Sequence, residues 1–396
     1  MVGFDIGATG VAGYLLDGRT GEQLATASAL NVQTEYGADV IMRANYSLEH
    51  GAEELSACIR VLLKKLIRTL CKETGKEPED IYQVSVVGNT CMHHLFLGIV
   101  PDSLVHAPYN PAISHGLTFP AEKFRLGIHP GGQLIALPVI AGFVGADTVA
   151  CLLAVNLEEE KKMTLMIDIG TNGEMVLATG DHFLVSSVAA GPAFEGGNIS
   201  CGMPGVPGAV CRAVLFGKNN MVTKTIGNKP AIGLCGTGII DVMYELVRHH
   251  IVDTQGILGE PWFEKGFPVV PGKIYFTQED IRQVQMAKAA ICAGLEVLLQ
   301  KSNISHEQIK KVYVAGGFGM GLDMEKALGI GLLPIGLRGK LTPVGNSALE
   351  GAARCLTHSK ESSDMQPQEI AAISHEINLA DTPEFQELYL KHMQFC

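Results

Sequence analysis

Asp5-Ile6-Gly7-Ala8-Thr9-Gly10 and Asp168-Ile169-Gly170-Thr171-Asn172-Gly173 are two copies of one short pattern, D-I-G-x-x-G, and their surroundings repeat with them. Around the first copy, Val2–Asp5 and Val11–Leu16 read as the strands of a hairpin, and a turn through Gly18 and Gly21 leads to a third strand, Gln23–Ala29. Around the second, Met163–Asp168, Glu174–Ala178, a turn at Gly180-Asp181 and Phe183–Ala189 reproduce the same three-strand meander. Their separation far exceeds the roughly 20–50-residue periods of solenoids, so the repeat predicts two lobes of like topology. The charged run Glu158–Lys162 marks the join, giving lobes of 1–158 and 159–396.

A hairpin turn of small residues lets backbone N–H groups converge on a phosphate, because larger side chains would block the approach. Gly7-Ala8-Thr9-Gly10 and Gly170-Thr171-Asn172-Gly173 suit that use. Asp5 and Asp168 end the strands before the turns, where a carboxylate can hold Mg²⁺ directly or through water. A single such turn is more often a glycine hairpin with no ligand. The repetition favours a nucleotide, held in a cleft between the lobes.

Composition sets the class. The chain has 396 residues, 47% of them hydrophobic and 18% charged, enough core for two or three domains. Its 30 Lys and Arg against 41 Asp and Glu leave a formal charge of -11, which opposes general attraction to nucleic acid or anionic lipid. Ten scattered cysteines without a C-x-x-C pair give neither a zinc ribbon nor a cluster framework; Cys201, Cys211 and Cys235 fit no ligand spacing and read as buried thiols. No secretory signal opens the chain. The apolar window Leu134–Val155 contains Pro138, Gly142, Gly145 and Asp147, so it reads as a strand, Leu134–Pro138, and a core helix, Val144–Val155, instead of a membrane span. These features point to a reduced, cytoplasmic, globular α/β protein.

Other segments fall around the two turns. A helix is predicted over Gly51–Glu73, with Leu55, Ile59, Leu62, Leu63, Leu66, Ile67 and Leu70 at helical spacing, followed by a buried strand, Tyr82–Val87. A glycine-rich stretch, Gly191–Gly208, precedes a helix opened by Gly236-Thr237-Gly238, whose N–H groups can face phosphate or ribose while Thr237 serves equally as a plain cap. After a long helix from Glu279 to Lys301, the strand Val312–Ala315 ends in Gly316-Gly317-Phe318, suited to close approach of a flat adenine or its ribose with Phe318 packing nearby. Gly345-Asn346-Ser347-Ala348 opens another helix, and helical segments near Gln368 and Pro383 close the chain.

These residues resemble the actin, sugar-kinase and heat-shock ATPase superfamily, whose fold is two α/β lobes of ribonuclease H-like topology. The phosphate motifs match Asp5–Val11 and Asp168–Glu174, the adenosine motif Ala315–Gly319, and the connecting helices Gly145-Ala146-Asp147 and Gly345–Ala348. Over nearly the whole chain the sequence is similar to the ATPase region of the reductive activators of corrinoid proteins. The strings are Tyr36-Gly37-Ala38-Asp39-Val40-Ile41, Gly88-Asn89-Thr90-Cys91-Met92-His93-His94, Ala189-Ala190-Gly191-Pro192-Ala193-Phe194-Glu195-Gly196 and Val314–Gly319. The resemblance implies ATP binding and hydrolysis coupled to the return of a corrinoid from Co(II) to Co(I) in a methyltransferase system. It also implies a corrinoid protein and a low-potential electron donor as partners, with a homodimer left open.

There are two departures. The family usually has threonines in the first turn, whereas Ala8 and Gly10 here leave Thr9 as its only hydroxyl. Family members usually carry an iron–sulphur domain, and no cluster-ligand spacing occurs in this chain, so the electron is expected from elsewhere.

In this scheme Asp5 and Asp168 organise Mg²⁺, Thr9, Thr171 and Asn172 hydrogen-bond phosphate or the attacking water, and either Glu174 or Glu195 positions that water. Ser186 and Ser187 are candidates to face the corrinoid, against ordinary strand-end hydrogen bonding. His93 and His94 invite a cobalt-ligand reading, but an adjacent pair after a strand is more simply one packed and one exposed. Two functions from other classes compete: a small-molecule kinase with the same cleft, and a nucleotide-regulated binding module.

Overall fold

Alternating apolar residues build two sheets with the same plan. The computed structural model describes residues 1–157, 163–217, 219–317, 321–357, 365–379 and 382–395. It divides into two compact units: Met1–Lys161 with Gly180–Phe183 and Ser347–Glu376, and Lys162–Thr179 with Leu184–Asn346 and Ile377–Cys396. The boundary expected at Glu158–Lys162 lies outside the described residues.

In the first unit, β1 (Val2–Ile6), β2 (Gly10–Leu16) and β3 (Gln23–Leu30) form the expected meander. They are followed by α1 (Val40–His50), α2 (Glu53–Thr74), β4 (Gln83–Gly88), α3 (Thr90–Leu97), the short α4 (Asp102–Val105), β5 (Leu117–Pro120), β6 (Gln133–Ala136) and α5 (Ala146–Val155). The strand order is β3-β2-β1-β4-β6-β5, with β4 parallel to both β1 and β6. The predicted helix over 51–73 is α2. Its apolar stripe, Leu55, Ile59, Leu63, Ile67 and Leu70, is wholly buried, and each such side chain is worth about 1.5–3 kcal/mol. Gly75 ends α2 in the left-handed region at φ 67°, donating its N–H to Cys71 O.

The second unit repeats the order. β7 (Thr164–Ile169), β8 (Asn172–Ala178) and β9 (Phe183–Ala189) make its meander. The glycine-rich stretch then gives way to elements that its sequence did not announce: β10 (Ala209–Phe216), β11 (Asn220–Thr225) and β12 (Gly233–Leu234), a separate sheet against which α6 (Gly236–Arg248) packs. The hairpin β13 (Phe267–Val270) and β14 (Ile274–Phe276) precedes α7 (Gln278–Lys301), β15 (Lys311–Gly316), α8 (Met324–Gly329) and β16 (Leu341–Gly345). β15 lies parallel to both β7 and β16, so the run β9-β8-β7-β15-β16 matches β3-β2-β1-β4-β6 strand for strand.

The chain then returns to the first unit with α9 (Ser347–Thr357), α10 (Pro367–Ala372) and β17 (Ser374–Glu376), and ends on α11 (Pro383–His392) in the second. α9 lies on β1, β4 and α5. It comes so close to α5 that a Cβ on Gly351 would stand 1.8 Å from Ala150 O. Among the described residues no helix is long and apolar enough to cross a membrane. The Leu134–Val155 window is indeed a strand, β6, and a buried helix, α5.

Candidate functional site

The two glycine turns are alike in sequence but not in length. Ile6 pairs with Val11, leaving four turn residues, Gly7–Gly10. Ile169 pairs with Gly173, leaving three, Gly170–Asn172. The motif that matches without a gap in sequence is therefore offset by one residue in the ladder. Directly opposite Asp168 stands Glu174, on the same face of the sheet, whereas Ala12 stands opposite Asp5. By sequence alone Asp5 and Asp168 are expected to play equal roles. Only the second has a carboxylate as its cross-strand neighbour.

The first turn is tied inward by its carbonyls. Gly7 N donates to Gly10 O at 2.9 Å, Asn31 N donates to Thr9 O at 2.9 Å, and Asn31 Nδ2 donates to Gly7 O at 2.8 Å. Ala8 is buried, Asp5 and Thr9 are half-buried and Gly10 is exposed.

The second turn is bound differently. Gly170 N donates to Asn172 O at 3.0 Å and Gly191 N to Thr171 O at 2.8 Å, while the Thr171 hydroxyl makes a short hydrogen bond to Glu195 Oε2. Pro192–Glu195 form a single helical turn that brings Glu195 against Gly170 and Thr171. Burial raises the Glu195 pKa above its ordinary value; the Asp168 charge pushes the same way, while the Thr171 hydroxyl opposes them. Glu174, 8% exposed, accepts from Ser187 Oγ at 3.4 Å. Asp168, Thr171, Glu174, Ser187 and Glu195 thus gather around one turn of the second unit.

Ser186, on the opposite face of β9, is fully buried and donates to Ile377 O at 2.7 Å, the ordinary strand-end bond; Ser187 alone of that pair is half-exposed.

The adenosine-type turn has a steric reason for its first glycine. Gly316 ends β15 at φ 127°, where a Cβ would lie 2.4 Å from Ile169 O, and Gly317 opens to empty space. Phe318, proposed to pack on a base, lies outside the described residues. Gly88 ends β4 in the same relation to β1, with a would-be Cβ 2.5 Å from Ile6 O, so the repeat extends to the fourth strand. At α6, Cys235 takes the N-cap position without a side-chain cap bond, and Thr237 sits inside the first turn, its hydroxyl 3.4 Å from Cys235 Sγ. The capping role allowed for Thr237 is therefore not formed. Gly238 is required because α6 crosses β10 closely, a Cβ there falling 2.1 Å from Val210 O, and Gly321 lies beside the Thr237 methyl.

The expectation of one packed and one exposed histidine is corrected, since both are buried in α3. His94 Nε2 accepts from Ala112 N at 3.0 Å, so its Nδ1 carries the proton and donates to Thr90 O at 2.7 Å. Burial, and secondarily His94, hold the His93 pKa down at about 3. Cys235 is buried as expected, but Cys201 and Cys211 are half-exposed, and none of the three is in a disulfide. Among the described residues no group of three or more His, Cys, Asp or Glu side chains is assembled to hold a metal.

Residues 162–396 match a family described as the C-terminal domain of RACo, the ASKHA domain, and residues 1–160 match the RACo middle region. The chain is 35% identical to the corrinoid activation enzyme RamQ of Eubacterium limosum, over all of this chain and 70% of RamQ. It is 24% identical to the [Co(II) methylated amine-specific corrinoid protein] reductase of Methanosarcina barkeri, over all of this chain and 76% of that protein. A solved structure titled reductive activator for corrinoid,iron-sulfur protein superposes with a TM-score of 0.93 at 35% identity. The whole of this chain is covered in that superposition, and the chain spans 66% of the solved protein's length.

Proposed function

This chain belongs to the RACo family of corrinoid activators, with the actin-like ASKHA fold, and from that premise we propose that it is an ATP-driven reductive activator of a corrinoid protein. ATP hydrolysis, yielding ADP and phosphate, shifts the protein between states of different affinity for the Co(II) corrinoid partner. One electron from a reduced iron–sulphur donor then converts Co(II) to Co(I). The observation that supports the ATPase half best is the second turn, where a hydroxyl, two facing carboxylates and a third with a raised pKa surround one glycine loop.

Residue roles follow from that geometry. The Thr171 and Asn172 hydrogen-bonding groups and the turn N–H groups bind phosphate oxygens, Thr9 and the Gly7–Gly10 backbone do so at the first turn, and Gly316, Gly317 and the start of α6 border the nucleoside. We assign Glu195 ahead of Glu174 to orient and deprotonate the attacking water, since it already receives the Thr171 hydroxyl hydrogen and burial raises its pKa toward the range a general base uses.

Mg²⁺ fits the donor set at the second turn. Burial, with the Asp168 charge beside it, raises the cost of ionising Glu195, and a divalent cation relieves it. No protein cage is assembled there among the described residues, as suits an ion that takes one or two carboxylates and completes its shell with phosphate oxygens and water. Asp168 is the ligand we assign, with Asp5 serving the first turn; bound there, the ion would neutralise phosphate charge. Lobes of 1–158 and 159–396, a cytoplasmic setting and Ser187 as a corrinoid-facing hydroxyl belong to the same proposal, and sedimentation distinguishes monomer from homodimer.

The deciding experiment measures ATP turnover with and without a purified Co(II) corrinoid protein, following the Co(II) absorbance in the presence of a low-potential donor. Loss of that absorbance only when ATP, donor and this chain are all present is the expected result. Corrinoid-independent phosphorylation of a metabolite would instead make the chain a kinase. Asp168→Ala should lower ATP turnover at least 100-fold, the scale on which preorganised charge acts in such sites.

A further inference from the structure

Two strings that the functional scheme leaves unused, Tyr36–Ile41 and Gly88–His94, converge with Asn31 directly behind the first phosphate turn. Asn31 is fully buried. Its backbone N–H and its side-chain Nδ2 hold the carbonyls of Thr9 and Gly7, while its Oδ1 accepts from Gln33 N at 2.9 Å, which fixes the amide orientation. A trans peptide points its C=O and the following N–H in opposite directions. Drawing the Gly7 and Thr9 carbonyls toward Asn31 therefore aims the N–H groups of Ala8 and Gly10 the other way. Carbonyl oxygens repel an anion and N–H groups attract one, so a turn with a single hydroxyl depends on this orientation.

Behind Asn31 lies a buried cation. Asn31 Nδ2 approaches Met92 Sδ at 3.8 Å, and Arg43 Nη1 approaches the same sulphur at 3.3 Å from the other side. Arg43 Nε donates to Gly37 O at 2.9 Å, Nη2 has no partner among the described residues, and the side chain is fully buried. Among the described residues no carboxylate stands within ion-pair distance of it, and Asp39 acts on its charge only from farther off. A buried guanidinium without a counter-ion is costly unless some negative charge approaches.

We propose that Asn31 is the positioning residue of the first phosphate turn and that Arg43, anchored through Met92, supplies the buried positive charge that the nucleotide's phosphates compensate. The second turn is held differently, since the N–H on its Thr171 carbonyl belongs to Gly191, a residue without a side chain. The inference rests on the nucleotide-binding reading above and adds residues to it.

The test compares the affinities of the full chain for ATP and for adenosine, by titration calorimetry, in the unaltered protein and in the Asn31→Ala, Arg43→Met and Met92→Leu variants, with thermal unfolding as the check on folding. Asn31→Ala and Arg43→Met should each weaken ATP binding about tenfold, the scale of one lost hydrogen bond or charge contact, and leave adenosine binding unchanged. Met92→Leu, which keeps the packing, should show a smaller loss in the same sense and serves if either other variant fails to fold. ATP affinity unchanged in the variants, or ATP and adenosine affinities falling together, overturns the proposal. If the unaltered chain binds adenosine but not ATP, it is the nucleotide-binding reading that fails.

Discussion

At the scale of single residues, titration gives the sharpest expectations. His93 is held neutral in the folded chain down to about pH 3, while the unfolded chain takes up a proton near 6.5. Below pH 6.5 the unfolded state thus binds the extra proton, so stability should fall by about 1.4 kcal/mol per pH unit from this residue alone. Denaturant titrations at pH 7 and pH 5 measure the effect, and His93→Gln should flatten it. Glu195 shifts the other way. In the proposed mechanism its ionised form is the base, and its pKa is raised, so the acid limb of ATP turnover should lie at higher pH than an ordinary carboxylate would give. Glu195→Gln should remove that limb along with most of kcat. Glu174 and Glu195 could be named as candidates from the strings around them, but Asn31 could not: an asparagine after a strand has no local signal, and its contacts form only once β3 has been folded back along β2.

Among elements, α9 and the α6–α8 corner carry the most specific consequences. Gly351→Ala would press a methyl into the Ala150 carbonyl, a backbone atom that cannot step aside, and should cost about 3 kcal/mol in thermal unfolding. In the second unit, Asp241 and Glu245 on α6 accept the N–H groups of Ala213 and Leu215 along β10, and Lys326 of α8 binds both carboxylates and Ala213 O. These side chains finish a strand that β12 pairs only at Ala209 and Val210. Burial raises the Asp241 pKa, and Lys326 opposes that. Lys326→Met should therefore destabilise by about 1–3 kcal/mol, because it removes the cation shared by two buried acids and leaves Asp241 with Arg212 at 3.7 Å and Glu245 with His249 at 3.6 Å. The helix α2 was readable from its period, while α6 was expected from the Gly236-Thr237-Gly238 opening and α7 as the long helix Glu279–Lys301. The strands β10 to β14 were not, since β12 to β14 are only two to four residues long and β10 and β11 follow a glycine-rich stretch that reads as loop.

For the whole molecule, the meander repeat correctly announced two units of one topology, and the match runs on through β4 and β15, where Gly88 and Gly316 solve the same contact. What sequence could not show is that the chain returns, placing α9 over β1 and β4. A fragment of residues 1–161 should consequently expose that apolar face and bind a hydrophobic dye, and joining residues 347–376 to it through a flexible linker should abolish the dye signal. The one-residue difference between the two turns bears on ancestry. If the halves descend from a duplicated segment, they parted by gain or loss of a residue inside the glycine turn, so a gap-free alignment of the halves equates Ala12 with Met175 when its ladder counterpart is Glu174. An engineer wishing to restore symmetry should place the missing acid at position 12.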